Sequence, residues 1–335
     1  MAIKSDNTKG NPYHQEGTGK FTSADSGGES KPETVTQPIK IDLSGLFADD
    51  LTGNDDLDAL LNEVEAENAN KPKPVTEMST QELLKEIGDV KERLTNNYGV
   101  VFEDDSPTAV FGHDLRLTCA NLRQMDILFS KYKTYASNMK IVPFSSSGST
   151  VAGVASTVLR VGNSMELKVN DSMVFNRRYF KTYEGVVAIA KANIGVGHQV
   201  KVSDEYLSCA NFSHEFGHTV LNSVLLDNKR REGANSFGKY LVVSTLGYQG
   251  SDARIANTIM DDHAESCRQE IYEIYKADNE NPMNYDSFVD SVSAYAKSSP
   301  QEWFAEAFCG AVCGNKTPIG DALNKFLEKK GWIKT

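Results

Sequence analysis

The segment His214-Glu215-Phe216-Gly217-His218 constrains this chain more than any other, because it sets three chemically demanding side chains inside an apolar run. Phe212, Phe216, Val220 and Leu221 around it predict a strongly buried helix. On a helix, residues four apart differ by about 40° around the axis and about 6 Å along it. His214 and His218 therefore point the same way, and two imidazoles can reach one ion. Glu215 is rotated about 100° from His214, which leaves its carboxylate beside such an ion, where a general base for an activated water belongs. The pattern arises by chance in on the order of one in a hundred chains of this composition. The competing reading is an ordinary helix with one buried histidine and one at the surface. Against it stands the cost of burying two histidines and a glutamate without partners, which a metal would supply. Gly217, costly by about 1 kcal/mol relative to Ala in a helix interior, predicts that another element approaches closely beside the histidines.

A catalytic zinc takes three protein ligands and keeps one position for water, so a further donor is expected. The stretch SSPQEWFAEAF supplies candidates: Glu302 and Glu306 are four apart and share one face of a helix starting near Pro300, with Ser298 or Ser299 as its N-cap. Ser299 with Glu302 would form a capping box, and Glu302 would then only cap. Ser298 with Gln301 could serve one residue earlier and leave Glu302 for another role. Glu306 sits among Phe304, Ala305, Ala307 and Phe308, where an unpaired carboxylate is expensive. Together the two glutamates read as one ligand and one supporting carboxylate.

HEFGH, then Tyr295, then Glu302 seven residues on and the following FAEAF resemble the catalytic domain of the anthrax lethal factor family, gluzincin-type metallopeptidases also found in phage-encoded proteins. The resemblance runs from about Val101 to the C-terminus, its specific part confined to these motifs, and Trp303 stands where the relative has Phe. It implies a zincin-like fold and hydrolysis of peptide bonds, with internal cleavage the expected mode. It implies His214, His218 and Glu302 as ligands of one zinc per chain, Glu215 as general base, Tyr295 as donor to the oxyanion, and Glu306 as the carboxylate orienting a ligand histidine. The stretch NPYHQEGTGKFTSADSGG resembles short N-terminal elements of some phage head and virion-associated proteins. A packaging or tethering tail and a plain linker both fit it, and a virion structural protein carrying the domain is the alternative function.

Residues 1–75 are dominated by Gly, Ser, Thr, Pro and charge, with an acidic run from Asp49 to Glu67, and predict a disordered tail that KPKP at 71–74 closes. The remainder, 76–335, is expected to be one α+β domain. Ser79 with Glu82 offers a capping box before Leu83, Leu84 and Ile87, and residues 117–135 read as a second amphipathic helix. MKIVPF, VASTVLRV, MELKV and SMVF read as the short strands of a small sheet, one edge of which is the expected platform for a peptide. Beyond Asp204 the pattern is helical through NFSHEFGHTVLNSVLL, ARIANTIMDDHAESCRQEIYEIYKA, PQEWFAEAFCGAV and IGDALNKFLEKK.

A net charge of -11 argues against a dedicated binder of nucleic acid or anionic membrane, so a peptide or protein substrate is the expected partner. The start lacks the apolar core of a secretory signal, and no run is long enough to span a bilayer, which leads to the expectation of a host cytoplasm or a virion. Five cysteines, Cys119, Cys209, Cys267, Cys309 and Cys313, are odd in number and not spaced as a disulfide framework, so free thiols are expected. Cys309 and Cys313 share a helix face and read as buried small hydrophobes rather than ligands. His198 and His263 read as loop or surface histidines, with the cleft as the alternative for His198. Asp261, Asp262 and Glu265 read as a solvated helix face.

Overall fold

The computed structural model describes residues 72–102, 114–133, 140–144, 153–161, 167–176, 180–232 and 251–334. The expected tail as far as residue 71, with its virion-like stretch and acidic run, lies outside the described residues. Residues 72–78, with one 3-10 turn over Val75–Glu77, belong to a unit separate from the body that begins at Ser79.

Helix α1, Thr80–Tyr98, starts where the capping box was expected: Ser79 Oγ accepts from the Glu82 N–H, and the Glu82 carboxylate accepts from the Ser79 N–H at 2.6 Å. Leu83, Ile87, Val90 and Leu94 give it one buried face, and Gly99 at φ 68° closes it in the left-handed region. That face packs on α2, Leu115–Lys131, which Asp114 caps and an Arg123–Glu86 ion pair ties to α1. The helix thus ends four residues before the expected 135.

The sheet holds β1 (Val101–Phe102), β2 (Lys140–Phe144), β3 (Gly153–Val161) and β4 (Leu167–Asn176) in the order β1-β2-β4-β3. β1, β2 and β4 run parallel, and β3 pairs antiparallel with β4 in a register that sets Ser156 opposite Ser172. Two details depart from the sequence reading. MELKV and SMVF are not separate strands but one, continuous through Asn170 and Asp171, and β1 was not expected. Asn and Asp favour turns through their own local hydrogen bonds, but Asn170 and Asp171 lie within the unbroken antiparallel ladder with β3, opposite Val158 and Thr157, and that continuous pairing outweighs the tendency. β3 is an edge strand and lies against the helix that carries HEFGH.

The rest is helical: α3 (Tyr183–Gly195), α4 (Ala210–Glu232), α5 (Ser251–Asp278), α6 (Tyr285–Asp290), α7 (Pro300–Val312) and α8 (Pro318–Lys329). α3 is absent from the sequence reading, which has nothing helical between the strands and Asp204. Its β-branched Val186, Val187 and Ile189 mask the helical period, and the Thr182 hydroxyl accepting from the Gly185 N–H starts it. α7 occupies the centre, packed against α4, α5 and α8, with every residue from Trp303 to Gly310 buried. The α+β expectation thus holds in its coarse form, with helices outweighing a single sheet. No helix among the described residues is long and apolar enough to cross a membrane.

Candidate metal centre

The site forms where α4 crosses α7, and the crossing is set by Gly217. A Cβ at that position would stand 3.0 Å from Ala305 Cα and 3.2 Å from Phe308 Cβ, so only glycine lets the two backbones meet this closely, as its cost in a helix predicted. Behind the contact, the Phe216 ring packs edge-on against Phe129 at 5.2 Å and beside Phe308 at 6.1 Å. The opposite face of the crossing carries polar groups. His214 Nε2 lies 3.1 Å and His218 Nε2 3.3 Å from the same oxygen, Glu302 Oε2. Ligand atoms of the three residues all fall within 4.8 Å of one another.

Glu302 is available because Ser299 caps α7 through the Glu302 backbone alone, its Oγ accepting from that N–H at 3.2 Å. Ser298 is not the cap; its hydroxyl donates to the Tyr295 carbonyl at 2.7 Å. The carboxylate therefore turns towards the histidines instead of back to the helix start.

The donors fit a divalent cation. Glu302 Oε2 is buried with no hydrogen-bond partner of acceptable geometry, although two imidazole nitrogens face it. A buried carboxylate oxygen left in that state is costly, and an ion held jointly by the three atoms removes the cost. Two imidazoles and one carboxylate are the donor set of a three-ligand zinc site with an open position. The electrostatics agree. Burial would push His214 down, but Glu302 and Glu306 beside it prevail and hold it well above its ordinary value. Glu302, which burial would raise, is held well below the usual carboxylate range by His218 and His214. This is a pocket whose field favours positive charge.

Glu306, only 2% exposed, supports the ligand set from behind. Its Oε1 lies 2.8 Å from His214 Nδ1, and since a carboxylate accepts only, Nδ1 carries a proton, so that in the neutral ring it is Nε2 whose lone pair faces the site. Oε2 accepts from the Val200 backbone N–H at 2.6 Å and from the Ser293 hydroxyl at 2.8 Å. Ser293 Oγ in turn accepts from the Ala296 N–H, at the head of the 3-10 turn Tyr295–Ser298. Tyr295 is buried there, its ring 5.8 Å from that of His214. Burial first, then the nearby Glu302, Glu215 and Glu306, raise its phenol well above the ordinary value, so the hydroxyl stays protonated and able to donate. Glu215 is buried, and its charge is close enough to be felt by Tyr295.

All six residues expected from the sequence are therefore in one place. Two further participants were not foreseen: nothing in the sequence marks Ser293, and the Val200 N–H is a backbone group that no sequence pattern can flag. His198, read as a loop or surface residue with the cleft as the alternative, packs its ring 5.5 Å from that of Tyr295. The acidic face of α5 also needs correction: Asp262 is exposed, but Asp261 accepts from the Gln301 side chain at 2.9 Å, and Glu265 binds Arg268 and Tyr285. Two of the three acids are thus part-buried and engaged, Asp261 with α7 and Glu265 with Arg268 of its own helix and Tyr285 of α6. Cys309 and Cys313 are buried away from the ligand group, as expected, and all five cysteines are free thiols. No protein-family model, no curated protein and no solved structure matches this chain.

Proposed function

We propose that this protein is a zinc-dependent peptidase of the lethal factor-like, zincin type. The observation that carries the reading is the convergence of His214 Nε2 and His218 Nε2 on a buried Glu302 oxygen that lacks any hydrogen-bond partner. Held by His214, His218 and Glu302, zinc would supply the Lewis acidity that makes water a nucleophile near neutral pH. The chain's own groups do the rest. Glu215, next to His214 but turned off the ligand direction, takes the proton of the attacking water and returns it to the leaving amine. Tyr295 donates its hydroxyl proton in a hydrogen bond to the oxygen that gains charge, a contribution typically worth about 3 to 4 kcal/mol per donor. Glu306 keeps His214 in one tautomer and orientation, and Val200 and Ser293 keep Glu306 in place. β3, lying against α4, is the outermost strand among the described residues, an edge on which an extended peptide can align.

The test uses the purified protein of 335 residues. One zinc per chain by elemental analysis, with cleavage of a proteome-derived peptide library, is the expected result. Glu215→Gln should lower kcat by about 10²- to 10⁴-fold while zinc stays at one per chain. Zinc binding without cleavage of any peptide by the wild type would sink the peptidase reading and leave a structural ion.

A further inference from the structure

The segment that follows α3 is fastened to the site at three successive points. The Gly197 carbonyl accepts from the Ala294 N–H at 2.9 Å, the His198 carbonyl accepts from the Tyr295 N–H at 3.0 Å, and the Val200 N–H donates to Glu306. On its other side the His198 N–H donates to the Asn193 carbonyl at 2.9 Å, in the last turn of α3, a closure that places Gly197 at φ 70°. His198 is thus held at both its backbone groups, which a solvated loop histidine does not require. Its ring lies 5.5 Å from that of Tyr295 at an interplanar angle of 52°, within the range of favourable aromatic packing. The Tyr295 ring also lies 5.8 Å from that of His214, and of the two imidazoles His198 is the more exposed.

We infer that His198 is a positioning residue that fixes the Tyr295 ring, and with it the hydroxyl, over the metal-binding face of α4. The inference rests on the peptidase reading for its catalytic consequence. Tyr295 belongs to a four-residue 3-10 turn, a short element with little hydrogen bonding of its own. Its backbone N–H is bound by the His198 carbonyl, its ring packs near two imidazoles and its hydroxyl engages Glu302, so removing the His198 imidazole takes away one of the contacts that fix the tilt of the ring. A displacement of about 1 Å in a catalytic group can cost about 100-fold in rate.

The experiment combines a readout of Tyr295 with kinetics. In zinc-loaded protein carrying carbon-13 in its tyrosine rings, the Tyr295 signal is assigned by its disappearance in Tyr295→Phe. His198→Ala should move or broaden that signal while the signals of distant tyrosines stay put, and His198→Phe, which keeps a ring on Tyr295, should restore it. In the peptide assay, His198→Ala should lower kcat about 10- to 100-fold with KM within about 2-fold. In a Tyr295→Phe background the same change should cost less than about 2-fold, because the hydroxyl it positions is gone. An unmoved Tyr295 signal overturns the inference, as does an unchanged kcat or an undiminished loss in the Tyr295→Phe background. If the wild type cleaves nothing, the peptidase reading fails, and the carbon-13 signal alone decides whether His198 positions Tyr295.

Discussion

Helix α7 carries two pairs of side chains at the same spacing, Glu302 with Glu306 and Cys309 with Cys313, and folding puts the pairs to opposite uses. The glutamates meet His214 and His218 of α4, and Glu306 is held by hydrogen bonds as well. The thiols meet the start of α4 instead, Cys309 donating to the Ala210 carbonyl at 3.4 Å and Cys313 to Ser213 Oγ at 3.2 Å. Ala190, Val200, Val202 and Leu207 belong to the same apolar cluster, and the Gln124 amide donates to Cys313 Sγ at 3.9 Å. The hydrogen bond to Cys313, then burial, push the Cys309 thiol well above its ordinary value, so it remains a neutral small hydrophobe. A spacing of four provides a shared face and no more. The difference between the two ends lies in what α4 presents to each, imidazoles to one and backbone or hydroxyl groups to the other.

The contrast is most exposed at Glu302. Glu302→Ala removes a ligand, and zinc affinity should fall by on the order of 100-fold or more, measured by competition with a chromophoric chelator. Unchanged affinity would move the third ligand elsewhere. Glu306→Gln comes next: it leaves the three ligands in place but cannot hold a protonated Nδ1 with the same charge, and a loss of about 10- to 100-fold in affinity is expected. Equal effects of the two substitutions would erase the distinction between ligand and support.

A smaller effect follows from pH in protein stripped of metal. His214 has a raised value in the folded state, so the stabilisation it gains from Glu302 and Glu306 is fully present below its unfolded value of about 6.5 and lost as pH rises through the folded value. Glu302 is lowered, so its share is present above about 4.3 and lost as pH falls through its folded value. The Tm of chelator-treated protein should therefore decline on the alkaline side, and the gap between zinc-loaded and metal-free Tm should widen there as His214 becomes neutral and free to bind the ion. A gap that stays constant from about pH 6 to about pH 9 would contradict the coupling. Least affected should be Cys309→Ala, with one zinc per chain, kcat unchanged, and a stability loss of about 1 kcal/mol by urea unfolding. A drop in zinc content would make the two ends of α7 alike after all.

Most of the candidate site was legible because its parts are local. HEFGH carries its own helical geometry, Pro300 with Ser299 announces the second helix, and Gly217 signals a close neighbour by sitting where a helix least tolerates glycine. The fold was legible in its periodic pieces and less so in its sheet and in α3, where turn-forming Asn170 and Asp171 and β-branched Val186 and Ile189 point locally to the wrong structure. The continuous ladder with β3 and the Thr182 cap overrule them.

By itself, then, the sequence determined which side chains could hold an ion and on which helix faces they lie, since spacing along a helix is a local matter. Which of two carboxylates would bind and which would support follows, from sequence, only through a family resemblance. Tertiary structure gives the two different surroundings: the Ser299 cap takes the Glu302 N–H and spares its carboxylate, while the Val200 N–H and Ser293 hydroxyl engage Glu306. The same holds for His198, whose place beside Tyr295 depends on hydrogen bonds between segments far apart in the chain. No local pattern encodes such pairings, because backbone groups are the same at every position and only packing chooses their partners.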